Sequence, residues 1–324
     1  MDTPISSSIQ PMNLDYLRLL LATIVCLGHA EPPLISGLPV QGLEAVFAFF
    51  CISGYLITHS YLQSASLGEY TKKRIARIYP PIVLTVLFVF ALGLIMRTGQ
   101  SYYISASALL LFQDWNSVHL QGLYSHGAFW SLVVELQFYC LLPMTINLLR
   151  NKFALIGFAL LYFGGEYLRE HVLSSAGEFV NIARQNILFY IHFFIAGVIT
   201  AYYRFNIPKS KVKQALLTVL AILIYRSYFD FRQSLSVSVY FLPFAMMFLI
   251  MMIGKYSMLF GNKAFFGDLS YGMYMYHFPI MGFLTFLNCE NAKNVFFLTL
   301  FISFLSWHLL EKRCLRLVKA VDRV

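Results

Sequence analysis

Charge is what this chain has least of. Only 12% of its 324 residues are Asp, Glu, Lys or Arg, while 59% are hydrophobic. The mean hydropathy of +0.67 lies far outside the range of soluble globular domains. Metal and hydrolase signatures are missing as well. There is no HExxH and no paired-carboxylate metal motif, so no metal is expected. No GxSxG turn is present to raise a serine nucleophile, and no GxxxxGK[ST] loop to hold ATP. The five cysteines, Cys26, Cys51, Cys140, Cys289 and Cys314, form no CxxC pair. An odd, scattered set excludes a disulfide framework and points to core packing. No internal repeat and no low-complexity linker interrupts the chain. The opening MDTPISSSIQPM has no basic cluster, and no small-residue cleavage site follows the first apolar run. That run is therefore expected to be a retained helix.

What remains is long apolar runs, 31 Phe and 21 Tyr. Unbroken runs rule out a transmembrane barrel, whose strands alternate, and predict an all-α polytopic membrane protein. We read ten transmembrane helices at about 14–31, 43–62, 79–97, 129–149, 153–169, 186–204, 214–227, 236–253, 269–287 and 295–312. The apolar stretch 103–113 is too short to span and reads as a re-entrant or interfacial helix. The net charge of +9 follows from topology and implies no nucleic-acid partner. With both termini cytoplasmic, most cations fall inside: Lys72, Lys73, Arg74 and Arg77, the run from Arg204 to Lys213, and the basic tail after Glu311. Arg97, Arg169, Arg184, Arg226, Arg232 and Lys293 fall outside. The expected domain is one integral membrane unit over 1–324.

Ionisable residues inside apolar segments are costly and mark function. Arg18 and His29 share the first segment, LDYLRLLLATIVCLGH. Eleven residues separate them, so they share one helix face roughly 16 Å apart along the axis. The small residues Ala22 and Cys26 lie between them, and the stripe reads as the wall of a path. The plain alternative is a pair of buried polar residues that hold neighbouring helices. Histidine suits proton removal near neutral pH, and arginine suits a phosphate or a developing negative charge. Gly54 in the second segment permits close approach of another helix or of a substrate. Arg74 and Arg77 are three apart and project together. They read either as a positive-inside anchor or, with Lys73, as a clamp for phosphate groups. Ser131, Glu135 and Tyr139 recur every four residues along one face, with Arg18 and His29 as candidate partners for Glu135. Trp130 reads as an interfacial anchor or a stacking surface. Tyr274 and His277 lie together just before Pro279. Glu311 is expected to pair with Lys312 or Arg313 at a surface. His119, His126, His171, His192 and His308 read as structural or solvated.

Five segments in order resemble the acyltransferase-3 family of integral membrane acyltransferases. They are the Arg18–His29 pair, FFCISGYLI (49–57), KRIARIYP (73–80), FWSLVVELQFY (129–139), and SYGMYMYHFP (270–279) followed by Glu311. Two positions depart from the family's pattern. Phe47 stands where an acid is common, with Glu44 a turn earlier, and Leu136 replaces a second Glu after Glu135. The fused esterase-like domain that some members carry is not expected here. The resemblance implies transfer of an acyl group, usually acetyl, from cytoplasmic acyl-CoA to a hydroxyl across the membrane. The implied acceptors are O-antigen, exopolysaccharide or related envelope glycans and glycolipids of a bacterial inner membrane. In that reading His29 is the general base, with Arg18 and Glu135 in the catalytic group. Lys73, Arg74 and Arg77 hold the acetyl-CoA donor, whose arm threads past Ala22 and Cys26. Trp130, Ser131, Tyr274 and His277 contact substrate. A transporter or flippase of a glycan, lipid or acyl carrier is the alternative, since intramembrane His, Arg and Glu suit that role too.

Overall fold

A computed structural model describes residues 14–95, 129–150, 185–230, 237–257 and 267–321, with scattered residues between 156 and 171. The described residues form helices joined by turns and short coil, and contain no strand. The longer helices are α1 (Asp15–Ala30), α2 (Gly42–Leu62), α3 (Leu67–Ile95), α4 (Phe129–Thr145), α5 (Ile191–Tyr202), α6 (Lys211–Asp230), α7 (Val237–Ser257), α8 (Ser270–Phe286), α9 (Ala292–Ser306) and α10 (Lys312–Val321). A π-helical turn, Trp307–Glu311, joins α9 to α10. The segment 103–113, His119, His126 and the pieces around 172–184 and 231–236 lie outside the described residues.

Among the described residues, three stretches are long and apolar enough to cross a membrane: Gly42–Leu62, Leu67–Leu92 and Ala292–Val318. Phe129–Thr145, Ile191–Tyr202 and Tyr240–Tyr256 are apolar but shorter. Large apolar side chains are exposed on α6 (Leu216, Leu220, Leu223) and α9 (Phe297, Phe301). Such a surface suits lipid and would be a liability in water. The described residues are those of a helical membrane protein.

Helix positions follow from side-chain distribution. On α1 the buried residues Leu17, Leu21, Ile24 and Val25 recur at helical spacing, giving one inward face. Helix α5 is buried all round, from Ile191 to Val198, and α8 is nearly so. These two form the centre. α5 packs on α2, and α8 packs on α1, α3 and α9. Phe47 stacks on Phe193 at 4.3 Å, and Phe50 and Phe138 stack on Phe194 at 4.7 and 4.4 Å.

The α2–α5 crossing is set by two glycines. A Cβ at Gly54 would lie 2.3 Å from the Phe194 carbonyl oxygen, and one at Gly197 would lie 2.2 Å from that of Cys51. Gly54 therefore serves helix packing rather than substrate approach. Both obstacles are backbone and cannot rotate away. Gly197→Val is expected to cost more than the roughly 1–3 kcal/mol of ordinary overpacking. Thermal melts in detergent test this, with Gly42→Ala, which has no atom within 4 Å, as the neutral control. Equal melting of the two variants would refute the close crossing.

The basic segment KRIARIYP is helix rather than loop. α3 runs through it and continues past Pro80 and Pro81. Two prolines remove the donors that would have served the carbonyls four residues back, at Ala76 and Arg77. The Tyr271 hydroxyl donates to the nearby Ile78 carbonyl at 3.5 Å. Core packing holds for Cys26 and Cys51, whereas Cys140 and Cys289 are exposed.

Candidate functional site

One large cavity, about 1120 Å³, opens among α1, α2, α3, α4, α8 and the α9–α10 turn. Helical spacing builds its walls. Phe49, Ser53, Leu56, Ser60 and Gln63 form a single stripe on α2, and Ser131, Glu135 and Tyr139 form the stripe expected on α4. Its charged lining is Arg18, Lys73, Arg74, Arg77, Lys312 and Arg316 against Asp15, Glu135 and Asp268. The cations outnumber the carboxylates in a largely apolar enclosure, which favours an anionic ligand.

Asp268 organises the basic end. Its Oδ2 accepts from Arg18 Nη1 and from Arg77 Nη2, each at 2.5 Å, and its Oδ1 accepts from Ser270 Oγ at 2.6 Å. Burial alone would raise its proton affinity. The two guanidiniums outweigh burial and hold the carboxyl well below the usual carboxylate range. Gly267 precedes it at φ +86°, a conformation glycine adopts freely, and a Cβ there would lie 2.0 Å from Trp307 Nε1. The Trp307 and Tyr271 rings flank Arg77, 5.6 and 5.5 Å from its guanidinium carbon.

Arg74 is held differently. Its guanidinium lies over Tyr70 and Tyr139, and Nη2 donates to Ser60 Oγ at 2.9 Å. Its buried Nε has no hydrogen-bond partner among the described residues. Lys73 pairs with Glu69 and reaches Ser64 Oγ at 3.4 Å. Deeper in, Glu135 Oε1 accepts from Ser53 Oγ at 2.7 Å and from the Tyr139 hydroxyl at 2.9 Å. Its partners are hydroxyls, neither Arg18 nor His29. The Ser131 and Tyr274 hydroxyls meet at 2.6 Å at the cavity's inner limit.

The imidazoles lie just beyond. Tyr274 lines the cavity, and the His277 ring sits edge-on to it with centroids 6.1 Å apart. His277 Nε2 is 3.1 Å from Nδ1 of His29, and the two rings stack at 5.1 Å with 16° between their planes. Neither histidine lines the cavity itself. His29, in the last turn of α1, is exposed. Arg18 and His29 thus occupy opposite ends of one helix, each tied to the α8 region.

Several expectations need correcting. Ala22 and Cys26 are fully buried in helix packing and line no path, because α8 and α9 close against that face of α1. The open route runs along the α2 and α4 stripes. Trp130 packs edge-on to Phe50 and against Tyr190 and does not reach the cavity. His277 contacts His29 rather than open space. Glu311 is buried, and its Oε1 accepts from Ser306 Oγ at 2.8 Å, because the π turn rotates it inward, away from Lys312 and Arg313. His308 lines the cavity, and so do Lys312 and Arg316, one turn apart on α10. The i, i+4 spacing of that last pair was the signal for them. Glu44 is buried in the first turn of α2.

The family profile described as "Acyltransferase domain", Acyl_transf_3, matches residues 13–310. The chain belongs to this acyltransferase family. The match takes in every helix around the cavity except the C-terminal α10. Among curated relatives, the "O-acetyl transferase" of Shigella phage Sf6 is 28% identical, over 93% of this chain and 95% of its own length. "Nodulation protein 10" of Rhizobium leguminosarum bv. viciae is 26% identical, over 94% and 93%. "O-acetyltransferase OatA" of Staphylococcus aureus is 29% identical over 43% of this chain and 25% of its own length. No solved structure matches significantly.

Proposed function

We propose that this acyltransferase moves an acetyl group from acetyl-CoA, bound at the cytoplasmic face, to a hydroxyl of an extracytoplasmic envelope glycan. The observation that carries this reading is a cavity that joins a cationic, aromatic-flanked end to the neighbourhood of an imidazole pair. Two relatives whose names give O-acetyl transfer support it. Ten spans with both termini cytoplasmic, in a bacterial inner membrane, put the basic end on the CoA side.

In this mechanism Arg74, Arg77 and Lys73 receive the CoA phosphates. The pantetheine arm lies along Phe49, Leu56, Ile57 and Leu132, and its amides meet the hydroxyls of Ser53, Ser131 and Tyr139. Displacement of the Ser131–Tyr274 contact lets the thioester approach His29. His29 takes the proton from the acceptor hydroxyl as its oxygen bonds to the thioester carbonyl carbon. The C–S bond then breaks, and the departing thiolate takes a proton to leave as free CoA. Glu135 and Arg18 keep the walls of the route in place through Ser53, Tyr139 and Asp268.

Labelled acetyl-CoA offered to membranes containing the protein tests the whole reading. Label fixed covalently on an envelope glycan, adding one acetyl unit in mass, is the expected outcome. Uptake of label without covalent transfer would make the protein a transporter. The clamp has its own test. Arg74→Ala removes one charge-assisted contact, worth roughly 1.5–3 kcal/mol, and should weaken acetyl-CoA binding about 10–100-fold by calorimetry. Unchanged affinity at low and moderate salt would reduce Arg74 to a topological anchor.

A further inference from the structure

His29 sits at the end of a helix, and a base there needs a defined tautomer and a fixed ring. The contacts of His277 bear on both. His277 has no exposed area. Its Nδ1 lies 3.2 Å from the carbonyl oxygen of Met273, one turn back on α8. A carbonyl only accepts, so Nδ1 of His277 carries the proton. In a neutral ring its Nε2 then offers only a lone pair. That Nε2 faces Nδ1 of His29 at 3.1 Å, so Nδ1–H of His29 is the donor. One proton arrangement of the neutral pair therefore satisfies both contacts, and it leaves Nε2 of His29 bare. The bond made by one ring nitrogen sets the state of the other. The near-parallel stack of the two rings and the Phe278 ring, 4.6 Å from His29, hold the imidazole's orientation.

We infer that His277 is the positioning residue of the reaction: it accepts from His29 and so presents the bare Nε2 of His29 to the acceptor hydroxyl. This rests on His29 being the base proposed above. When Nε2 takes the hydroxyl proton, His29 becomes a cation whose Nδ1–H already points at a lone pair. The chain is Met273 carbonyl, His277, His29, acceptor. Nothing in it requires His277 to gain or lose a proton. Its contribution is orientation and stabilisation of the imidazolium, the part a carboxylate plays in a serine-protease triad. An imidazole performs that part without bringing a net negative charge into an apolar helix bundle.

The test compares His277→Leu with His277→Gln in labelled acetyl transfer from acetyl-CoA in membranes. Leucine removes the acceptor. Glutamine keeps a carbonyl oxygen at similar reach. His277→Leu should lower kcat by on the order of 10²-fold, the lower end of what a positioned base contributes, with the KM for acetyl-CoA within about two-fold. His277→Gln should recover most of the rate. Wild-type kcat in the leucine variant, or equal loss in both variants, would overturn the inference. His29→Ala in the same assay separates the two claims. Full activity there overturns the base itself, whereas loss there with an intact His277→Leu overturns only the positioning role. Selective ¹⁵N-histidine labelling of the unmodified protein decides the matter even where a variant fails to accumulate. His29 must show a protonated Nδ1 and a bare Nε2, and the opposite tautomer rules the arrangement out.

Discussion

His29→Ala is expected to lower acetyl transfer by roughly 10²–10⁴-fold, the usual worth of a positioned general base. Acetyl-CoA affinity should stay at the wild-type level. The separation of effects follows from distance along one helix. Arg18 is in the first turn of α1 and His29 in the last, and only Arg18 lines the cavity. His29 is exposed and lacks a core role, so alanine there leaves no large void. The variant should remain monodisperse in detergent, with a melting temperature lowered by only a few degrees through loss of the His29–His277 contact. An inactive protein that has also lost donor binding would point to a disturbed fold. A fully active one would remove His29 from the chemistry.

The second large effect concerns stability. Asp268→Asn should destabilise the protein by about 3–5 kcal/mol, the usual cost of stripping one partner from a buried charge cluster. The side chains of Arg18, Arg77 and Asp268 are only 17%, 14% and 13% exposed. Both guanidiniums converge on the same carboxylate oxygen. Without that charge the two guanidiniums lose the carboxylate they share. A fall in melting temperature of about 4–7 °C is the expected reading for a chain of this size. Adding Arg18→Met to the Asp268→Asn background should recover part of it, since one of the two cations that shared the carboxylate is then gone. A single variant that melts with the wild type would show the triad to be energetically neutral. The pH dependence has a definite sign. Asp268 is depressed in the folded state, so its contribution is whole above the ordinary carboxylate range and is lost only as pH falls below it.

Helix positions were legible because apolar runs and their periodicity are local. The sequence reading of 14–31 and the helix Asp15–Ala30, or of 269–287 and Ser270–Phe286, differ by a residue or so at each end. The α4 stripe of Ser131, Glu135 and Tyr139 was legible for the same reason. Partners were not, because pairing is decided by packing between distant segments. Arg18 and Asp268 are 250 residues apart, and His29 and His277 are 248 apart. Nothing in the first segment names either partner. Asp268 did carry a signal: an acid beside a glycine at the threshold of an apolar helix, where a charge needs a counter-ion. Ala22 and Cys26 misled because small residues mark close helix packing as readily as a lined route. The π turn was invisible, since one extra residue in a turn leaves no compositional trace, yet it aims Glu311 inward.

The triad also sets a schedule for biosynthesis. Arg18 emerges first, Arg77 next and Asp268 only after a further 191 residues. At roughly 5–20 residues per second, the two arginines wait on the order of 10–50 s for their shared counter-charge. During that interval neither guanidinium has the carboxylate that both share in the folded protein. The cavity's basic end therefore closes as a late event, when α8 arrives with Asp268 at its head, and a truncation before that point should leave helices inserted but unlatched.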